Sequence, residues 1–465
     1  MPLDAVVVGA GPNGLSAAVT LAEAGRAVLL LEGAAEPGGC LRTEELLEPG
    51  FQHDVCAAVM ALAPASPFLA SRVADLVVPP APLAHPFDDG TAAVVERSVD
   101  ESARRLGRDG PAYARLLKPL VERSDELFAD VLGPPRPPRR PLLSARFGLP
   151  GLLSAAGLGR MLFAGRDARA LLAGAAAHGM LSLHEPLSAA FGLVMLTTAH
   201  VGGWPIGRGG SASVAAGLVQ RLRGLGGEVR CDAPVRALGE LPAARDVLLD
   251  LTPKGVLQVS GDRLPGRYRR RLARYRYGAG VFKMDWTLDG PIPWRSAECR
   301  RAATVHLGGT CEEIVAGEQD VAGGRHPDRP FVLLVQPTLF DGSRAPAGRH
   351  TAWAYCHVPN GSSRDLSAAV EAQVERFAPG FRELVRARSV WSAADLERRE
   401  PNCVGGDING GRADLSQLLR RPALRWTPYA TPDPGLFICS AATPPGGGVH
   451  GMCGWHAARA VLRRR

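Results

Sequence analysis

Apolar positions in the first thirty residues follow two different periods. Ala5-Val6-Val7-Val8 is a continuous apolar run, the pattern of a strand buried on both faces. Leu15, Ala18, Val19 and Ala22 then recur at helical spacing and stop at Gly25, and residues 27–31 form a second buried run closed by Glu32. The pattern predicts a βαβ unit. A second helix, carrying Val214, Leu218, Val219 and Leu222, leads into Gly226-Gly227-Glu228-Val229-Arg230-Cys231, and an apolar strand is expected over 246–251. A strand over 435–443, a Pro/Gly turn and a helix from Trp455 come last.

Two different textures lie between these pieces. Residues from about 70 to 200 read as mostly helical. They are interrupted by the Pro/Arg run 134–141, which admits neither helix nor central strand and reads as an exposed loop or a flexible basic lid. Residues 150–164 are apolar apart from Arg160; a buried helix is expected, a helix lying on a membrane being the alternative. Beyond 262 the period becomes two: Val281, Lys283, Asp285 and Thr287 alternate with Phe282, Met284, Trp286 and Leu288. Further strands at 331–335 and 351–357 and a helix at 366–377 predict a mixed or antiparallel sheet covered by helices.

Composition narrows the function classes. The chain has 465 residues, 46% hydrophobic and 22% charged, which excludes a disordered or fibrous protein. The net charge is +8, nearly all of it arginine; Lys118, Lys254 and Lys283 are the three lysines. The arginines are scattered and aromatics are 6%, so nucleic acid is not the expected partner. Biased Arg usage or an anionic partner, membrane headgroups or an acidic carrier protein, remain. Nine cysteines without C-x-x-C or metal-ligand spacing read as free thiols in a reducing compartment, with no metal expected. No basic region precedes the first apolar run, and no run reaches the ~18 residues of a membrane span. A cytoplasmic protein, peripheral to a membrane at most, is expected. H-E-x-x-H, G-x-S-x-G and Walker patterns are absent, which leaves hydrolase and metalloenzyme chemistry without support.

The turn between the first strand and helix is Gly9-Ala10-Gly11-Pro12-Asn13-Gly14, or G-x-G-x-x-G. Gly9 permits a tight turn, Gly11 a close approach to a pyrophosphate, and Gly14 close packing of helix on strand. The helix start offers free N–H groups to phosphate charge. Glu32, at the end of the second strand, is placed to accept hydrogen bonds from a ribose diol. In this context the motif predicts dinucleotide binding. No second copy follows, so a separate NAD(P)H domain is not expected.

Glu36-Pro37-Gly38-Gly39-Cys40-Leu41-Arg42-Thr43 resembles the G-G-x-x-R/T element of the large FAD-dependent family that includes amine oxidases and phytoene desaturases. Asp54 matches the family's next acidic position. Trp204-Pro205-Ile206-Gly207-Arg208-Gly209-Gly210-Ser211, the helix after it and Gly226 to Val235 resemble the family's second cofactor segment. That likeness assigns Val235 to the adenine edge, although the hairpin usual before the next strand looks shortened. Residues 440–452, Ser440-Ala441-Ala442-Thr443-Pro444-Pro445-Gly446-Gly447-Gly448-Val449-His450-Gly451-Met452, resemble the element that closes phytoene-desaturase-type enzymes, with Pro444 where the family has His. Pro401-Asn402-Cys403-Val404-Gly405-Gly406-Asp407-Ile408-Asn409-Gly410-Gly411 points to the phytoene-dehydrogenase-related subgroup.

The resemblance implies an α/β fold of two domains, each assembled from separated segments. A Rossmann-like FAD-binding domain would comprise 1–70, 201–261 and 426–465. A substrate or cap domain, with a mixed or antiparallel sheet and helical cover, would comprise 71–200 and 262–425. FAD would be held by Gly9, Gly11, Pro12, Asn13, Gly14, Glu32, Gly38, Gly39, Arg42, Val235, Ser440, Gly447, Gly448, Val449, His450 and Met452. Candidates for chemistry are His450, Asp407, Asn409 and Lys283, the last on a strand face either solvated or turned to the flavin. Asp407 and Asn409 read equally as Asx-turn residues. His200, Trp204, Trp426 and Tyr429 are candidates to line the substrate site. The expected activity is dehydrogenation of an apolar unsaturated substrate, polyene, carotenoid-like or lipid-like, with oxygen, quinone or another acceptor taking the electrons. The alternatives are an amine or amino-acid oxidase and an escort protein that kept the fold without the chemistry.

Overall fold

The computed structural model describes residues 2–73 and 75–464. Its strands, in chain order, are β1 (Leu3–Val8), β2 (Val28–Leu31), β3 (Thr43–Glu44), β4 (His53–Asp54), β5 (Leu76–Val77), β6 (Ala81–Pro86), β7 (Ala92–Val95), β8 (Ile206–Gly207), β9 (Glu228–Arg230), β10 (Ala244–Leu249), β11 (Gly280–Leu288), β12 (Ala302–Leu307), β13 (Val332–Val335), β14 (His350–Val358), β15 (Val385–Trp391) and β16 (Leu436–Ile438).

Five of them form a parallel sheet in the order β16-β10-β1-β2-β9. Ala5 and Val7 of β1 face the helices Pro12–Glu23, Ala212–Gly224 and Met452–Leu462 through Leu15, Val19, Leu218 and Ala457. Val6 and Val8 face the other way, onto Val256, Leu264 and Leu272. Cover on both faces explains why these strands are uniformly apolar. Leu31, Val8, Leu249 and Ile438 lie in one register row, so Glu32, Gly9, Asp250 and Cys439 leave the same carboxyl edge side by side. The connections leaving β1 and β10 diverge there, and ligands of open α/β sheets bind at such a switch point.

The second sheet has seven strands in the order β15-β11-β14-β13-β12-β6-β7 and is mixed, with β6 and β12 parallel and the other pairs antiparallel. The period-two pattern of β11 appears as two faces. Phe282, Met284, Trp286 and Leu288 pack with Phe377 and Phe381 beneath the helix Ser367–Phe377. The opposite face, carrying Val281, Leu333, Val335, Trp353 and Tyr355, meets the helices of residues 99–202.

Several boundaries differ from the sequence expectation. The strand expected at 246–251 ends at Leu249, two residues earlier, which frees Asp250 to reach the glycine turn. The strand expected over 435–443 is confined to Leu436–Ile438. The stretch after residue 70 opens with β6 and β7 before it turns helical, and both strands join the mixed sheet. Val235 is joined to β10 by a short turn of 3-10 helix, Leu238–Glu240, and no hairpin, as the spacing suggested.

The buried helix expected at 150–164 is corrected in part, since Ala155, Ala156, Leu158 and Gly159 are buried. Two helices, Pro141–Gly151 and Ala155–Leu162, meet at 101°. Ser154 starts the second by accepting the Gly157 N–H. Leu149, Leu152 and Met161 are exposed. No single helix among the described residues is long and apolar enough to cross a membrane.

Candidate functional site

The glycine turn is shaped by contacts no side chain would permit. A Cβ on Gly14 would lie 1.9 Å from the Gly9 carbonyl oxygen, and one on Gly39 3.1 Å from the Gly11 Cα. Gly9 has φ +95°, a conformation that favours glycine. Pro12 opens the first helix, and no side chain caps Gly11 ahead of it. The buried Oδ1 of Asn13 has no hydrogen-bond partner. A helix start with no local side-chain cap, an orphaned polar atom and a glycine-walled cradle fit the pyrophosphate of a dinucleotide.

Glu32 spans the outer end of this turn. Its carboxylate accepts the Ala10 N–H at 2.7 Å and the Ala34 N–H at 2.9 Å. A second lone pair on each oxygen stays free for a ribose diol. The Ala233 N–H donates to the Glu32 carbonyl at 2.8 Å, and Pro234 packs on Gly33, so Val235 follows directly beside the ribose end. Arg42, expected at the phosphates, is paired with Glu400 and Glu44 in this structure.

Asp250 is a site residue that the sequence reading did not single out. It is buried, and its Oδ2 accepts the Gly14 N–H at 2.8 Å. Burial pushes its pKa up to about 7; the Gly14 hydrogen bond opposes the rise and the Glu32 charge adds to it. The mislocated end of β10 hid it.

The last segment closes over the same helix start. A Cβ on Gly454 would lie 1.8 Å from the Asn13 carbonyl oxygen, so the helices Pro12–Glu23 and Met452–Leu462 cross in near backbone contact. His450 is buried with its ring engaged: Nδ1 accepts the Met452 N–H at 3.0 Å, and Nε2 lies 3.2 Å from the Gly447 carbonyl. Its own carbonyl accepts the Ser66 hydroxyl at 2.6 Å. Burial lowers its pKa to about 4, so the ring is neutral at pH 7 and holds the turn in place. Ser440 donates to the Leu251 carbonyl at 2.7 Å. Tyr429 supports the turn from behind by donating to the Pro444 carbonyl at 3.0 Å.

Asp407 and Asn409 brace the loop facing this turn. Asp407 accepts the Gly278 N–H at 2.7 Å and the Asn409 N–H at 2.8 Å. A Cβ on Gly447 would lie 2.6 Å from the Asn409 Cα, and Asn409 Nδ2 donates to the His178 carbonyl at 3.2 Å. His178 opens onto the mixed sheet. Its Nε2 lies 3.1 Å from Nε2 of His306, and its ring contacts Trp204 edge-on at 5.4 Å. Burial lowers the His178 pKa to about 3 and that of His306 well below the ordinary value.

One register row across the sheet carries Trp391, Lys283, Tyr355, Leu333 and His306 on adjacent strands. Lys283 is 2% exposed, which corrects the solvated alternative. It is paired with Asp285 and lies 4.6 Å from the Trp391 ring centroid. Burial raises the Asp285 pKa to about 6 against the pull of Lys283.

Two substrate candidates are placed elsewhere. Trp426 is fully exposed and walls no cavity. His200 has both ring nitrogens engaged, with the Tyr113 hydroxyl at 2.8 Å and the Arg97 carbonyl at 3.2 Å, as a satisfied core histidine. Trp204 does reach the sheet face, beside His178 and His306, two residues that the sequence reading passed over. Their even spacing from other apolar residues carried no local signal.

The fold and the glycine-walled cleft are those of a Rossmann-type dinucleotide-binding protein, with a parallel sheet at the cleft and a separate mixed sheet. Residues 7–73 match the family described as the NAD(P)-binding Rossmann-like domain. Among curated proteins, the chain is 26% identical to the pyridine nucleotide-disulfide oxidoreductase domain-containing protein 2 of Rattus norvegicus, over 99% of this chain and 93% of that one. It is 25% identical to the all-trans-zeta-carotene desaturase of Myxococcus xanthus, over 96% and 90%. Among solved structures, an oxidoreductase from Methanosarcina mazei aligns with a TM-score of 0.67 at 16% identity, over 99% of this chain and all of that one. Putrescine oxidase aligns with a TM-score of 0.60 at 17% identity, over the whole of both chains. The likeness to desaturases and amine oxidases therefore extends well beyond the glycine motifs, and the two-domain build is that of the flavin amine oxidases.

Proposed function

We propose that the chain binds FAD and dehydrogenates an apolar unsaturated substrate, polyene, carotenoid-like or lipid-like. When bound, FAD supplies the two-electron oxidant for a C–H bond. Gly9 to Gly14 and Glu32 would hold the pyrophosphate and ribose, Val235 the adenine edge, and residues 440–452 the flavin end. The start of the helix Met452–Leu462 would stabilise negative charge at that end.

One observation carries the substrate reading: a chain of contacts from Gly447 through Asn409 and His178 ends on a cluster of buried aromatic and neutral imidazole side chains. Trp204, His306, Tyr355 and Trp353 offer area and no net charge. The one buried ammonium beside them, Lys283, is spent on Asp285. A dry, uncharged wall orients a hydrocarbon by shape and excludes water. The Trp353–Tyr355 pair, 5.2 Å apart, is what favours an amine oxidase instead.

The test is spectroscopic. Protein loaded with FAD is expected to be yellow, at one flavin per chain, and to bleach anaerobically with carotenoid or polyene substrates. Protein that takes up no FAD overturns the cofactor assignment. Bleaching by amines alone, with peroxide released in air, transfers the reading to the amine oxidases.

Delivery from a membrane surface fits the outside of the molecule. A cleft of about 360 Å³ runs past Val131, Pro135, Phe147, Leu419 and Pro445, behind the 440–452 turn. Leu142, Leu149 and Leu419 stand exposed in the segments that line it. Arg139, Arg146, Arg420 and Arg425 are exposed in the same segments. Apolar side chains among arginines suit an anionic bilayer surface. Flotation with phosphatidylglycerol vesicles is expected to carry the protein, and Leu149→Glu with Leu152→Glu is expected to reduce that at least tenfold. Equal flotation of both proteins overturns the membrane reading.

A further inference from the structure

Three cysteines far apart in the chain converge next to the dinucleotide cleft. Cys40 follows the Gly38-Gly39 pair, and Gly39 touches Gly11. Cys56 comes two residues after β4, and the Ala57 N–H donates to the Cys40 carbonyl at 3.1 Å, tying the two backbones together. Cys403 enters from the loop before Asp407, its N–H held by the Glu400 carbonyl at 2.7 Å. The three Sγ atoms all lie within 4.8 Å of one another, and those of Cys40 and Cys403 are 3.7 Å apart.

That spacing is chemically specific. Thiolates bound to a single d10 ion at about 2.3 Å stand roughly 3.8 Å apart in a tetrahedral site and roughly 4.0 Å in a trigonal one. A disulfide would use two of the sulfurs and leave the third without a reason to point inward. Soft sulfur donors with no hard oxygen among them select Cu+ or Zn2+ over Mg2+ or Ca2+.

The nearby cations do not oppose a metal ion. Arg42, two residues after Cys40, is paired with Glu400, and Lys283 is paired with Asp285, so neither leaves a large net charge to repel one.

We propose that Cys40, Cys56 and Cys403 form a thiolate site for one soft cation, Cu+ in three-coordinate geometry or Zn2+ with a water as fourth ligand. The site does not rest on the dehydrogenase reading, because metal binding can be measured without turnover. It would also tie the glycine-pair loop to the loop of Asp407 and Asn409, joining the two walls of the cleft.

The reduced full-length protein is to be titrated anaerobically with Cu+ against bathocuproine disulfonate and, separately, with Zn2+ against a chromogenic chelator. One equivalent of one of these ions is expected to bind, with thiolate charge-transfer absorbance in the ultraviolet for Cu+. Cys403→Ser and Cys40→Ser are each expected to weaken binding at least a hundredfold. Cys231→Ser, at a half-buried thiol outside the cluster, is expected to leave it unchanged. Two cluster variants guard against one misfolding, and each is checked by its thermal melt. Absence of stoichiometric binding by either ion, equal binding in a folded cluster variant, or a Cys40–Cys403 disulfide in anaerobically purified protein overturns the site.

Discussion

Gly14→Val is expected to abolish dinucleotide binding and to lower stability by about 3 kcal/mol or more, because it overfills a contact with no slack. The first atom of the new side chain would sit 1.9 Å from the Gly9 carbonyl oxygen and 3.2 Å from the Asp250 Cβ. Both neighbours belong to the carboxyl edge of the parallel sheet, so neither can rotate away as a flexible side chain would. The helix Pro12–Glu23 would have to lift off β1, and its N-terminal turn would leave the cradle and lose the Gly14 hydrogen bond to Asp250. Gly25→Ala is the contrasting control. Its φ of +75° carries a modest strain, but nothing lies within 4 Å of the added carbon. It is expected to cost about 1 kcal/mol and to bind dinucleotide normally. Urea melts and flavin absorbance of the two variants measure this directly, and a Gly14→Val protein that melts and binds like the parent would refute the packing described for the turn.

Asp250→Asn is expected to change how both stability and dinucleotide affinity respond to pH. The folded-state pKa, about 7, is above the ordinary 3.8, so the folded chain holds more protons than the unfolded chain between those values. Stability therefore falls as pH rises from about 4 to about 7 and is level beyond. The rise of roughly 3 in pKa corresponds to about 4 kcal/mol by pH 8, at about 1.4 kcal/mol for each tenfold change. Asparagine carries no charge to desolvate and can still accept the Gly14 N–H, so the variant is expected to be the more stable protein at pH 8. Ligand phosphates at the helix start would oppose ionisation further. Affinity for the dinucleotide is thus expected to weaken above pH 7 in the parent and to stay level in the variant. Dissociation constants and urea melts measured from pH 6 to 9 check both parts, and parallel pH profiles for the two proteins would remove Asp250 from this role.

These two residues also mark what was legible in the sequence. Gly9, Gly11, Gly14 and Glu32 are local signals, since each follows from a turn whose shape only a few residue types permit. The period-two alternation of β11 likewise depends on neighbours along the chain, and it predicted both faces of the mixed sheet. Asp250 was hidden by an error of two residues at a strand end, because Leu251 drew the expected strand past the Asp at which the sheet pairing stops. Residues 150–164 looked like one core helix by composition; Ser154 caps a second helix and splits the segment, so Leu158 is buried while Leu152 and Met161 face outward. Trp426 was read as a wall for its size alone. The thiol cluster was out of reach in principle: Cys40 and Cys403 are separated by 363 residues, and spacing rules see only neighbours.

The parallel sheet draws β1 and β2 from one end of the chain, β9 and β10 from its middle and β16 from near residue 437. During synthesis the apolar strands that emerge first must wait for partners made last. The helical region 99–202 is contiguous and can collapse as it leaves the ribosome, whereas β1 has an unpaired side until β10 arrives, and β10 until β16 does. Such long-range pairing folds slowly and exposes aggregation-prone edges in the interval. Chaperone depletion is therefore expected to lower the soluble yield of this protein more than that of a chain whose sheet comes from one contiguous segment.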